Sequence, residues 1–156
     1  METYSSRDIG VLGYADDDQI IFYRAPLKKH TTESPFEIGN LERVPRVDIL
    51  YTYVDADGIL LEAAIDKAKA EGLVIAGFAS GSPTPAMEAT LKDIAARGIP
   101  LVLSQRAGMG RVKPNRERPH LIAADNLTPQ KARILLMLAL TKTRKIDEMQ
   151  QLFQEF

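Results

Sequence analysis

Asp55 and Asp57 stand one residue apart, directly after the apolar run Val47 to Tyr53. Two carboxylates so placed can hold a divalent cation, meet an ammonium group or move a proton. They are equally suited to capping a helix that starts just beyond them, because carboxylates accept backbone amides and complement the positive helix end. The capping role needs fewer assumptions. Further on, Ala79-Ser80-Gly81-Ser82 precedes Pro83-Thr84-Pro85. A Gly/Ser loop before a helix can cradle an anion. This one has neither phosphate-loop nor GxGxxG spacing, so a tight turn is the simpler reading. Ser104 could be a nucleophile, but no GxSxG elbow surrounds it. The two histidines, His30 and His120, show no regular spacing to other ligand types, so no metal site is expected. Arg106, Arg111, Lys113, Arg116 and Arg118 make one stretch basic, with Glu117 alone among them. No aromatic residues interleave to suggest base stacking, and such a stretch is usually a solvated face.

The elements that must position these residues come in two groups. In the first, Val11 to Tyr14 and Gln19 to Arg24 flank Asp16-Asp17-Asp18, the pattern of a β-hairpin. A connector rich in Pro, Thr, Ser and Gly follows. The boundaries read as a hairpin segment at 1–28, a linker at 29–45 and an α/β domain at 46–156. Within that domain the expected strands are 47–53, 73–77, 101–103 and 121–124. A helix over 58–71 has Leu61, Ala64, Ile65 and Ala68 at helical spacing, with Gly72 as its stop. Pro85 opens a second helix, which Gly98 ends. Thr128 and Pro129 mark the start of a third, which runs to about Thr143. Ile146, Met149, Phe153 and Phe156 lie on one face of a fourth. Nearly all-apolar strands alternating with helices imply a parallel sheet covered on both faces. The expected fold is therefore a small doubly wound, Rossmann-like α/β sheet of about four strands. Ligands of such sheets sit beyond the carboxyl ends of the strands. That singles out the loops 54–58, 78–85, 104–119 and 125–128. A phosphoryl-receiver arrangement would want a Lys at the end of a later strand, and none stands there.

Composition narrows the classes. At 156 residues with 45% hydrophobic and 26% charged residues, the chain can build one core. A formal net charge of -1 points to neither nucleic acid nor an anionic membrane surface. The absence of cysteine excludes disulfides, thiol nucleophiles and Cys-ligated zinc. No apolar segment approaches the ~20 residues of a membrane span. The opening METYSSRDIG has no basic, apolar leader pattern, so a cytoplasmic place is the default expectation.

Four phrases in order carry a resemblance: RVDILYTYVDADG (46–58), VIAGFASGS (74–82), LVLSQRAGMG (101–110) and LTPQKARILLMLAL (127–140). Together they resemble the C-terminal domain of bacterial type II L-asparaginases. GVLGYADDDQIIFYRAPLKKHTT (10–32) is similar to the family's segment just before that domain. The family has two α/β domains and hydrolyses L-asparagine to L-aspartate and ammonia as a homotetramer of intimate dimers, often periplasmic. No cofactor is implied. Its nucleophilic Thr in a TGGTI-like phrase, its Thr-Asp pair and its Lys belong to the N-terminal domain. No Gly-Gly-Thr occurs in these 156 residues. The resemblance thus implies no catalytic residue here. It implies two substrate-contacting residues that reach a neighbouring subunit's active site. Asp55 matches a loop position where the family often has Asn, and Glu117 best matches a Glu in the long loop after the third strand. Thr128 stands where the family usually has the Asn of LNPQKAR, and both residues cap helices.

Two functions remain open. One is the C-terminal half of an asparaginase-type amidohydrolase, inactive alone, whose partners are its own copies and an N-terminal domain if separately encoded. The other is a stand-alone binding or assembly module that keeps the fold without amidase activity. Self-association is expected in either case, because surfaces built for partners remain.

Overall fold

The computed structural model describes residue 6 and residues 8–156, so the leader expectation for 1–10 falls partly outside it. The chain divides into two compact units, Met1–Ser34 and Pro35–Phe156.

In the first unit, β1 (Gly13–Ala15) pairs antiparallel with β2 (Ile20–Phe22), Tyr14 opposite Ile21. The Asp16 amide donates to the Gln19 carbonyl at 2.9 Å and closes the acidic turn. The expected hairpin is present, with shorter strands than the apolar runs suggest. Ile20, Phe22 and Leu27 are all exposed, so the hairpin has little core of its own.

The second unit contains β3 (Val47–Tyr51), α1 (Ile59–Asp66), β4 (Gly72–Gly77), α2 (Pro85–Ala96), β5 (Leu101–Gln105), β6 (Ile122–Ala123), α3 (Pro129–Leu140) and α4 (Ile146–Glu155). The four strands form a parallel sheet in the order β3-β4-β5-β6. Side chains alternate across it. Leu73, Ile75, Leu101 and Leu103 face a core with Leu61, Ile65, Leu91 and Ile94 from α1 and α2. Val47, Val74, Val102 and Ile122 face a second core with Leu136, Ala139, Met149 and Phe153 from α3 and α4. Every residue of β4 is buried, as an apolar central strand with helices on both faces should be.

The first helix ends earlier than the apolar spacing suggests, at Asp66 rather than Glu71. Lys69 takes a left-handed φ of 57°, and the Ala70 amide donates to the Ala64 carbonyl at 3.0 Å. A left-handed residue thus closes the end of the helix without glycine. Gly72 is not the stop. It opens β4, where an added Cβ would lie 3.0 Å from Leu136 Cδ2. The connection from β5 to β6 carries no helix and forms the long basic loop.

Candidate functional site at the carboxyl edge of the sheet

Tyr51 is level with Ala76, and Ala76 with Ser104, so β3, β4 and β5 finish together. The loops leaving them share one edge.

The turn after β3 carries Asp55. The Thr52 amide donates to the Ala76 carbonyl at 3.0 Å, and the Ala56 amide to the Tyr53 carbonyl at 3.1 Å. Ala56 is buried, and its carbonyl accepts the Thr84 hydroxyl. Between these anchors the tip stands out, with Val54 85% exposed and Asp55 exposed. Asp55 has a φ of 65°. Asp and Asn tolerate that left-handed region better than other side chains with a Cβ. The two aspartates separate here. Asp57 Oδ1 accepts the Ile59 amide at 3.0 Å and so serves the start of α1. Asp55 is in no hydrogen bond or ion pair among the described residues, and its carboxylate faces solvent.

Arg106, the first residue beyond β5, crosses this edge. Its amide donates to the Gly77 carbonyl at 3.0 Å, and its Nη1 to the Thr52 carbonyl at 2.6 Å. The guanidinium carbon lies 4.6 Å from the centroid of the Phe78 ring. Thr84 does a second structural job: its hydroxyl accepts the Met87 amide at 3.3 Å and caps α2. Sequence reasoning passed over both residues as organisers. The Thr84-Pro85 pair is a readable cap signal. Nothing local marks the carbonyl that Arg106 finds 54 residues away.

Glu117 lies in the long loop, exposed, with its amide donating to Asn115 Oδ1 at 2.9 Å. The loop is tied down on both sides of it. Val112 is buried and bridges to Asp125, and Arg118 pairs with Glu88 in the first turn of α2. The neighbouring Arg118 thus ties this part of the loop to the first turn of α2, and its carbonyl accepts the Leu121 amide just before β6. No bond joins Glu117 and Asp55 among the described residues. The basic loop is largely occupied with structure: Arg106, Arg111 and Arg118 are bound to Thr52, Asp125 and Glu88.

The other candidates resolve into structural roles. The Ser104 hydroxyl is buried and donates to the Leu127 carbonyl at 2.7 Å, so it fastens the start of α3 and is not aimed at a base. The Ser80 loop is the tight turn. Its Ser80 and Gly81 both take positive φ, the Gly81 amide donates to the Phe78 carbonyl, and the Phe78 amide to the Ser82 carbonyl. Gly77 is needed there, since a Cβ would sit 2.2 Å from the Gly81 carbonyl oxygen. His120 Nε2 is buried without a hydrogen-bond partner, and burial lowers the pKa of its imidazole. His30 sits against Thr31 in the first unit. Among the described residues no cluster of His, Cys, Asp and Glu has the makings of a metal site, and no helix is long and apolar enough to cross a membrane.

Comparison with known proteins bears on this edge. A model of the glutaminase/asparaginase C-terminal domain matches residues 46–153. L-asparaginase 2 of Bacillus subtilis is 40% identical over 157 residues, covering 99% of this chain and 41% of that protein. L-asparaginase 2 of Escherichia coli is 35% identical, covering 99% of this chain and 45% of that protein. The crystal structure of a probable cytoplasmic L-asparaginase from Campylobacter jejuni superposes with a TM-score of 0.91 at 37% identity, over 97% of this chain and 49% of that one. The chain thus spans less than half the length of these relatives.

Proposed function

The chain belongs to the glutaminase/asparaginase C-terminal domain family, and we propose that it acts as the C-terminal half of an L-asparaginase-type amidohydrolase. In this reading it is inactive alone. It completes the active site of a neighbouring subunit with Asp55 and Glu117, and it contributes to the oligomer interface. The hydrolysis of L-asparagine needs an activated nucleophile and an oxyanion environment. Neither is found at this edge among the described residues, where the buried Ser104 hydroxyl is spent on a backbone carbonyl.

The observation that carries the proposal is the Asp55 turn. A carboxylate with no partner among the described residues is held out from a turn anchored at Thr52, Ala56 and Asp57. An anion so presented suits the α-ammonium of an amino-acid substrate, with which it forms a charge-assisted hydrogen bond. Glu117 supplies a second carboxylate from the next loop but one.

The test is substitution in the complex of this chain with the N-terminal half of the Bacillus subtilis relative. Asp55→Gly is the informative change. Glycine keeps the left-handed backbone, where alanine would add strain of about 1–2 kcal/mol. Asp55→Gly and Glu117→Gln should each raise KM for L-asparagine by roughly tenfold or more, the loss of one charge-assisted bond. Turnover with unchanged KM in both variants would overturn the assignment.

A further inference from the structure

We propose that Arg106 is a positioning residue for the shared site: its guanidinium fixes the turn that presents Asp55 and couples it to the loop that carries Glu117. The inference rests on the reading of Asp55 as a substrate contact.

Three contacts make the case. The Arg106 amide is held on the Gly77 carbonyl at the end of β4, its Nη1 donates to the Thr52 carbonyl at 2.6 Å, and its guanidinium stacks on Phe78. A residue at the end of β5 therefore touches the ends of β3 and β4 as well. Thr52 is the last anchored residue before the exposed tip. Downstream of Asp55 the turn has two supports, the Thr84 hydroxyl on Ala56 and Asp57 on the Ile59 amide. Upstream, Arg106 holds the Thr52 carbonyl, and the Thr52 hydroxyl donates only a weak bond to Met87 Sδ at 3.8 Å. Asp55 itself has no such bond among the described residues, so its direction depends on how well both ends of the turn are held.

The residue type fits this work. A guanidinium can lie flat on an aromatic face and donate in its own plane to a carbonyl at the same time. A lysine ammonium can reach the carbonyl, but it cannot reproduce the flat stack. Arg106 is also the first residue of the 106–121 connection. Movement of that loop is thereby passed to the Thr52 carbonyl through one side chain.

The experiment has two arms. In the 156-residue chain, hydrogen exchange at the Ala56 amide reports the turn, since that amide closes it on Tyr53. Arg106→Ala should speed exchange at Ala56 by roughly ten- to a hundredfold, the loss of one charged hydrogen bond, while Leu136 in α3 is unaffected. Arg106→Lys should recover part of the protection. In the complex with the N-terminal half of the Bacillus subtilis relative, Arg106→Ala should raise KM for L-asparagine by about tenfold with little change in kcat. It should add little to Asp55→Gly, because both act on one contact. A purely structural arginine would instead lower stability and leave the KM-against-kcat split unmoved. Unchanged exchange at Ala56 in Arg106→Ala overturns the proposal. Faster exchange at Ala56, together with an Asp55→Gly variant of normal KM, upholds the positioning of the turn and removes Asp55 from substrate binding.

Discussion

At the scale of single residues, the carboxyl edge is organised by side chains that each satisfy two groups. Thr84 gives its proton to the Ala56 carbonyl and accepts the Met87 amide, so one buried hydroxyl joins the Asp55 turn to the start of α2. Thr84→Val should cost about 2 kcal/mol in urea denaturation, from the lost cap and the unsatisfied carbonyl, and Thr84→Ser should restore most of it. The division of labour between Asp55 and Asp57 was only half legible in the sequence. Either aspartate could have capped the helix, and spacing alone cannot choose between them. The choice is made by backbone conformation: the left-handed φ of Asp55 turns it outward, while Asp57 reaches the Ile59 amide. Arg106 was not legible as an organiser, because its partner carbonyl is brought near only by the parallel register of β3, β4 and β5.

At the scale of elements, periodicity located the strands and helices because each face of the sheet has its own apolar set. Boundaries were less legible. The end of α1 is set by a left-handed Lys69, a residue with no turn preference. Gly72 reads as a helix stop in sequence, but it is small because Leu136 packs over it. Just before β4, Glu71 gathers Arg43, the Arg46 amide and Arg144. The Arg43 guanidinium, and then the Arg46 amide and Arg144, hold the Glu71 carboxyl below the usual glutamate range against a partial desolvation penalty. The unfolded chain therefore takes up this proton at higher pH than the folded one. The stabilisation is complete above the ordinary glutamate range and is lost as pH falls through the lowered folded value. Denaturation midpoints measured across that acid range should fall less steeply for Glu71→Gln than for the parent. Because Arg43 is largely exposed, the difference should shrink at 1 M salt.

At the scale of the whole molecule, the family was legible in phrases and the chemistry in their limits. LTPQKARILLMLAL became α3, capped by Thr128 and packed on the second core, far in role from any reacting group. Next to the Asp55 turn, Tyr51, Tyr53, Val54, Ile59 and Leu60 are all about half exposed or more. Such an apolar surface favours association. Sedimentation over rising concentration should show self-association, and a strictly monomeric species at high concentration would contradict the proposed interface. We propose that this chain completes an amidohydrolase site whose nucleophile lies in another domain. Ammonia release from L-asparagine, measured with the chain alone, with the N-terminal half of the Bacillus subtilis L-asparaginase 2 alone, and with the two mixed, decides it. Release in the mixture and in neither component is the expected result. Turnover by the chain alone that survives Asp55→Gly and Glu117→Gln would contradict it.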